Sequence, residues 1–464
     1  MIYFTGGGCY HPDMLTIGAM KLLQQADCVL YDNLINKEFL QYTKRNCECI
    51  SVGKSGHGTS TKQEDIMELL IEKSRQYKLV VRLKGGDPYL YGRGSEEMAY
   101  CLERGIACQY VPGISSAIGG LGFAGIPVTE RGTSSGFHVH TMHYQDGKDH
   151  LDYKTIAKTK ETQIFFMGST KVLQLVNQCL EHGMDKETPI TLATHLSMPK
   201  QKVLVSTLQE IQHEDISSFT SPLLIVLGKT ASHHKQLDNT TRLPHYGKKI
   251  LLTSIDEKHW NTDLLTLTEG IFVYERQVGE IIFHPENFIS PDTYDELLFV
   301  SRHSVEAYIH ALLQHNSDMR CLYGKTISCI GYKTAEALRN KGILVDHIYA
   351  NRKEFFSTPT KDNTLWIGKN NTTLPVPMDI SGCYDIEPVS FTLDEPYDAA
   401  AATCPFSVHQ LKQHGLSLST PLFTFENRTY EAAQQACFTN IHTSCNSKEA
   451  IIQEMLRFFG EKTK

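Results

Sequence analysis

Along most of the chain, apolar runs of strand length alternate with longer stretches whose apolar residues recur at helical spacing, a pattern that predicts an α/β fold. The first repeats are the clearest. Residues 2–5 read as a strand, Gly6-Gly7-Gly8 as a loop, and 13–25 as a helix carrying Leu15, Met20, Leu22 and Leu23. Residues 28–31 read as the next strand, which ends at Asp32. A further strand closes at Val52-Gly53-Lys54, before a polar glycine loop that reaches Thr61. A helix over 62–76 then leads into another strand at Val80.

That strand opens the run VVRLKGGDPYLYGRGSEE, residues 80–97. Val80 and Val81 lead through Arg82, Leu83 and Lys84 into Gly85-Gly86-Asp87-Pro88. Gly92 and Gly94 then flank Arg93, and a helix opens at Ser95-Glu96-Glu97. Glycine permits positive φ and close backbone approach to a ligand, and acidic residues suit a first helical turn. In an open α/β sheet such a strand end is where ligands bind, although an ordinary glycine-rich turn has the same local pattern. A third glycine site follows at 111–116 and another element at 125–129. From about Ser135 the strand-like runs 137–141, 163–167, 190–193, 203–205 and 223–227 predict a second, mixed sheet.

Residues 229–248 hold few apolar positions and no clear period, so composition reads them as a linker. A new α/β pattern begins at Ile250. Within it, residues 294–301 and the helix after them resemble 397–404 and the helix after those. The helical stretch 334–338 likewise resembles 429–433, so two similar lobes are expected.

Composition narrows the class. With 464 residues, roughly two to four domains are expected. Apolar content of 41% and charged content of 21% suit a soluble globular protein, and a net charge of -7 argues against a general nucleic-acid surface. No apolar run approaches the roughly 20 residues that span a bilayer. Residues 1–5 lack a basic leader pattern and read as a first strand, not a signal peptide. Thirteen scattered cysteines, without a disulfide framework, point to reduced thiols and a cytoplasmic setting. The closest pair, Cys47 and Cys49, lacks a second pair at metal-ligand spacing. His138 and His140 would share one face of a strand and His143 the other, which favours satisfied polar positions over a metal site. No metal is expected.

The four early strand-end loops, Gly6 to Pro12, Asp32, Gly53-Lys54 and Gly85 to Gly94, should converge on one edge of a parallel sheet. Asp32 and Lys54 would then offer a carboxylate and an ammonium as an acid/base pair. A helix cap and a solvated surface charge remain the alternative for these two residues.

GGGCYHPDMLT, LYDNL, VGKSGHG, RLKGGDPYLYGRGSEE, VPGISSAIGGLGFAGIPVTERG and the later IFFMGSTK stand in the order of a known family. Through these motifs residues 1–235 resemble uroporphyrinogen-III C-methyltransferase, of the tetrapyrrole methylase superfamily. The resemblance implies a two-lobed α/β enzyme, with lobes of about 1–114 and 115–235. It would bind S-adenosylmethionine between the lobes, work as a homodimer, and methylate uroporphyrinogen III twice to give precorrin-2, on the way to sirohaem or cobalamin. Carried over by motif, Asp32 is the proton acceptor and Lys54 the proton donor. Cys9, Gly85, Gly86, Asp87, Leu90, Ser115, Ser116, Met167 and Leu196 are the donor contacts. Arg82, Lys84, Arg93 and Arg131 are candidates for the substrate's carboxylates, since Arg pairs with carboxylate in bidentate fashion, and each could equally be a surface charge or a structural pair. The chain departs from the family in its first loop, where Cys9 and His11 replace a proline and an aspartate, and at Glu130, which replaces a histidine.

Residues 236–247 would be the linker, and 248–464 resemble uroporphyrinogen-III synthase with larger departures. The resemblance rests on ILLTS, YDELLFVSRHSVEAY, CIGYKTAEALRNKGILVD, LWIGKNN and YDAAAATCPFSVHQL. That fold implies two α/β lobes, the middle one at about 279–388, and the closure of hydroxymethylbilane to uroporphyrinogen III. Ser301, Ser304, Lys333 and Thr334 are the motif-based cleft contacts, and each could equally cap a helix or face solvent. A methyltransferase with a noncatalytic C-terminal interaction module is the alternative.

Overall fold

The computed structural model describes all residues except 54–61, 145, 256–259, 261, 263–264, 360–362, 394–395, 427, 446 and 463–464. The chain divides into two compact units: Met1–Lys249 with Asp263–Phe272, and Ile250–Thr262 with Val273–Lys464.

The first unit opens with five strands, β1 (Ile2–Gly6), β2 (Cys28–Tyr31), β3 (Glu48–Ser51), β4 (Val80–Lys84) and β5 (Cys108–Val111). They pair in parallel in the order β3-β2-β4-β1-β5. Helices α1 (Ile17–Gln25), α2 (Gln63–Gln76) and α3 (Gly94–Glu103) pack on this sheet. The helix expected over 13–25 starts only at Ile17. Thr16 Oγ1 accepts from Ala19 N–H at 3.2 Å and caps it there, while Pro12–Met14 form a separate tight turn.

Strand β4 is central and buried at every position. Side chains alternate across a strand. Val81 and Leu83 join Leu23, Val29 and Phe39 in one cluster, and Val80 joins Ile2, Phe4 and Cys101 in another. Arg82 and Lys84 share the parity of Val80, so this strand carries two cations into the core under α3.

The strand-end loops touch through backbone. Gly8 and Gly86 form a β-bridge with N–H···O distances of 3.1 and 2.8 Å. A Cβ on Gly113 would lie 2.0 Å from the Gly86 carbonyl oxygen and 2.6 Å from Gly6 Cα, so only glycine fits where the three loops meet.

The second sheet comprises β6 (Phe137–Thr141), β7 (Thr162–Phe166), β8 (Pro189–Thr194), β9 (Lys202–Thr207) and β10 (Leu223–Leu227), in the order β6-β7-β10-β8-β9. Only β6 and β7 run parallel, so the sheet is mixed, as the pattern predicts. Residues 229–248 are held against this unit by polar contacts in place of an apolar stripe. Thr230 and Thr162 hydroxyls lie 2.8 Å apart, Thr191 donates to the Ala231 carbonyl at 2.7 Å, and Tyr246 donates to the Met198 carbonyl at 3.1 Å.

The later strands are β11 (Lys249–Ser254), β12 (Phe272–Gln277), β13 (Gly279–Phe283), β14 (Glu296–Phe299), β15 (Thr326–Ile330), β16 (His347–Tyr349), β17 (Thr364–Lys369), β18 (Ile380–Pro388), β19 (Ala399–Ala402), β20 (Leu422–Phe425) and β21 (Ile441–Ser444). They form two sheets, β12-β11-β19-β20-β21 and β13-β18-β17-β14-β15-β16. The internal echo is structural. β14 and β19 each sit between parallel neighbours and feed a helix, Arg302–Gln314 and Pro405–Gln413. Thr334 and Thr429, on the next helix of each sheet, are both buried. Among the described residues no helix is long and apolar enough to cross a membrane, and no group of three or more His, Cys, Asp or Glu could hold a metal.

Cys47 and Cys49 lie at the start of β3. The exposed Cys49 thiol is brought down to about 7, chiefly because Cys47 hydrogen-bonds to it, against opposing burial; the Cys47 thiol is pushed up in turn. Iodoacetamide at pH 7 is therefore expected to label Cys49 first. Peptide mapping checks this, and a Cys49→Ser variant should lose the fast phase of labelling. Gly113→Ala should destabilise the first unit by about 3 kcal/mol. Calorimetry would read this as a fall of roughly 6–12 °C in that unit's Tm.

Candidate active site

A cavity of about 580 Å³ lies at the carboxyl ends of β1, β2 and β4. It falls within the range of about 300–1,000 Å³ typical of small-molecule sites. It brings together Cys9, Asp32, Gly85, Gly86, Asp87, Leu90, Ser115, Ser116, Met167 and Leu196, along with Arg82, Lys84 and Arg93. Gly53 also lines it, but Lys54, the expected proton donor, lies outside the described residues. Arg131 is exposed and does not line the cavity.

Each wall follows from local chain chemistry. Asp87 serves mainly to hold the loop. Its Oδ1 accepts from Tyr89 N–H at 2.8 Å, and its Oδ2 accepts from the Tyr110 hydroxyl at 2.6 Å and Gly113 N–H at 3.1 Å. Tyr110 is pushed up to about 12 by burial and by this carboxylate. With Gly86 in the left-handed region at φ 65°, the turn shows the cavity backbone, not side chain. Ser115 Oγ accepts from Ala117 N–H at 3.2 Å, opening the turn that carries Ser116.

On the other side, Met167, which lines the cavity, and His195 and Ser197, which flank the lining residue Leu196, are non-glycine residues with φ of 56°, 53° and 59°. Such backbone costs on the order of 1–3 kcal/mol per residue and clusters where surrounding structure over-determines it. Ser197 Oγ donates to the Cys9 carbonyl, tying this wall to the first loop. Burial pushes the Cys9 thiol up to about 11, so it stays a neutral wall group and not a nucleophile. His11 is buried beside Phe123 at 5.1 Å and does not line the cavity; burial lowers its pKa.

The electrostatic centre is a quartet of charged groups, three of them buried. Arg82 Nη2 donates to Asp32 Oδ1 at 2.6 Å, and its Nε donates to Glu97 Oε2 at 2.8 Å. Lys84 Nζ lies 2.7 Å from Glu97 Oε1 and 3.5 Å from Asp32 Oδ2. Gln63 Nε2 also donates to Glu97 Oε1, at 2.8 Å. Burial alone would raise Glu97, but Arg82 and Lys84 outweigh it and hold the carboxyl below its usual range. Burial lowers Lys84, helped by Arg82 and opposed by its two carboxylates. Burial also opposes the charge on Arg82, but Asp32 and Glu97 outweigh it and raise its pKa. Arg82 and Lys84, named as candidates for substrate carboxylates, line the cavity in paired form. Both are almost wholly buried and spend their charge on Asp32 and Glu97. Of the four, Asp32 is the most open to the cavity, at 30% exposure. Arg93 sits at the rim in an exposed ion pair with Glu96 at 2.7 Å, a kind of contact weak enough for an incoming carboxylate to displace.

Sequence reasoning missed Glu97 and Gln63 as members of the site. Two cations two residues apart in an otherwise apolar, central strand were the available signal, because buried charge requires buried partners.

In the second unit the four motif residues behave differently from one another. Ser301 caps the helix Arg302–Gln314, and its hydroxyl lies 2.9 Å from that of Tyr384. Ser304 is buried and donates to the Ser301 carbonyl at 2.6 Å. Thr334 is buried and donates to the Ile330 carbonyl at 2.7 Å. Lys333 is exposed, with Nζ 5.1 Å from the Phe425 ring centroid. Ser304 and Thr334 thus close their own helices, leaving Ser301 and Lys333 at the sheet's carboxyl edge.

Residues 1–212 match the family model for Tetrapyrrole (Corrin/Porphyrin) Methylases, and residues 278–355 match that for Uroporphyrinogen-III synthase HemD. A Ruminiclostridium josui protein named Porphyrin biosynthesis protein HemD is 31% identical over 362 residues, covering 74% of this chain and 70% of its own length. The Uroporphyrinogen-III C-methyltransferase of Bacillus subtilis is 38% identical over 239 residues, covering 51% of this chain and 93% of its own length. A crystal structure of Uroporphyrin-III C-methyl transferase from Thermus thermophilus, complexed with S-adenyl homocysteine, is 32% identical; it covers 49% of this chain and 97% of that one, with a TM-score of 0.43. The chain belongs to the tetrapyrrole methylase family, and a uroporphyrinogen-III synthase-like region follows its methylase domain.

Proposed function

We propose that the first unit transfers methyl groups from S-adenosylmethionine to two ring carbons of uroporphyrinogen III in turn, giving precorrin-2, and does so as a homodimer. The observation that carries this reading is Asp32 standing open in the same cavity as the Gly85-Gly86-Asp87 turn and Met167. S-adenosylmethionine, when bound, supplies an electrophilic sulfonium methyl group. The wall fits such a group: backbone at Gly85 and Gly86, apolar side chains at Leu90 and Leu196, and no reactive thiolate at Cys9.

Excluding water and fixing the line of approach contribute most to a transfer of this kind. Once its carbon is alkylated the ring must lose a proton, and the Asp32 carboxylate takes it. Lys54 is the proposed proton donor. Arg93, released from Glu96, and Arg131 are assigned to substrate carboxylates, while Arg82 and Lys84 hold Asp32.

For the second unit we propose closure of hydroxymethylbilane to uroporphyrinogen III. The synthase-family match and the Ser301–Tyr384 hydroxyl pair support this reading. The inward hydroxyls of Ser304 and Thr334 favour the other one, a noncatalytic module.

Given uroporphyrinogen III and S-adenosylmethionine, the full chain should yield a product with two added methyl groups by mass spectrometry. Asp32→Ala should slow transfer by about 100-fold or more while S-adenosylhomocysteine affinity stays within about twofold; undiminished turnover would refute its role as base. Given hydroxymethylbilane without methyl donor, the full chain should form the type III isomer. Chromatography showing only type I would leave the second unit as an interaction module.

A further inference from the structure

We infer that Glu97 is a positioning residue for methyl transfer, holding the inner sides of Arg82 and Lys84 so that Asp32 keeps its strength as a base. The inference rests on the proposed role of Asp32 as proton acceptor. The geometry supplies the reason. An open carboxylate facing two cations with no other counter-charge would be held tightly in its ionised form and would make a poor base.

Glu97 removes that difficulty. It takes Lys84 Nζ at 2.7 Å, nearer than the 3.5 Å that separates this ammonium from Asp32. It also takes the Nε edge of Arg82 at 2.8 Å, with Arg82 Nη2 reaching its second oxygen at 3.3 Å. The guanidinium cannot swing away, because Nη1 donates to the Leu30 and Leu83 carbonyls at 3.5 and 3.4 Å. Gln63, from α2, donates at 2.8 Å to Glu97 Oε1, the oxygen that also takes Lys84. Among the described residues the charged groups in direct contact are therefore Arg82 and Lys84 from β4, Asp32 from the end of β2, and Glu97 from α3, two of each sign. Glu97 is itself wholly buried, so it acts on the reaction only through its neighbours.

The two cations give the test a sign. Glu97→Gln keeps the shape and removes a negative charge, leaving Asp32 with an excess of positive neighbours. The acidic limb of its kcat–pH profile should move down by about one pH unit, and plateau kcat should fall by up to about 10-fold. KM for both substrates should hold within about twofold. Lys84→Met removes a cation instead and should move the limb up. Glu97→Asp, which restores the charge, should return the limb toward wild type.

A limb that stays put in Glu97→Gln, even with reduced kcat, would overturn the inference, and one that stays put in Lys84→Met as well would leave the quartet a structural ion-pair cluster. If Glu97→Gln fails to fold, Lys84→Met carries the test alone, and an unmoved limb overturns it. Asp32→Asn separates this inference from the reading beneath it. Retention of the acidic limb in that variant means Asp32 is not the base, so the proposed function of Asp32 fails. Loss of the limb in Asp32→Asn with no shift in Glu97→Gln sinks only the role of Glu97.

Discussion

Burying two cations on the central strand is the constraint on which the rest of the first unit depends. Arg82 and Lys84 lie where β4 has no solvent, so each must meet a carboxylate or leave its charge uncompensated. Removing one partner of such a pair costs about 3–5 kcal/mol. The fold meets the constraint from two directions. Helix α3 lays Glu97 over the strand, and the chain leaving β2 presents Asp32 at the sheet edge. The second partner is the useful one, since satisfying the core also fixes a carboxylate in the wall of a cavity.

Around that centre the loops have little freedom. Gly6 and Gly113 meet each other and the Gly86 carbonyl at distances that leave no room for a side chain on either, and Asp87 ties the turn after β4 to the loop after β5. The opposite wall stores backbone strain at Met167, His195 and Ser197 and is fastened to the first loop by Ser197. A cavity with apolar walls and the Asp32 carboxylate open to it suits a reaction whose main requirements are alignment and exclusion of water.

Much of this was legible in the sequence, for a physical reason. Parallel strands buried on both faces appear as apolar runs, and their carboxyl-end loops need glycine where backbones touch, so Gly85, Gly86 and Asp32 could be placed together before any coordinates. What escaped depends on packing between elements. Glu97 reads locally as a dipole complement in a first helical turn; only the face that α3 turns to β4 makes it a buried counter-ion. Arg82 and Lys84 read equally as substrate contacts, surface charges or structural pairs until the burial of β4 is known. Thr16 reads as a helical residue until it acts as the cap. In the second unit, the serine and threonine motif could not tell a ligand contact from a helix cap, because the same hydroxyl chemistry serves both.

The central claim is that the methyl donor and Asp32 share one cavity. Crystals of the full chain grown with S-adenosylhomocysteine test it most directly. The account predicts the ligand against Gly85, Gly86, Leu90 and Leu196, with its sulfur turned toward the Asp32 side of the cavity. Ligand bound elsewhere, or a cavity empty at saturating concentration, would contradict it.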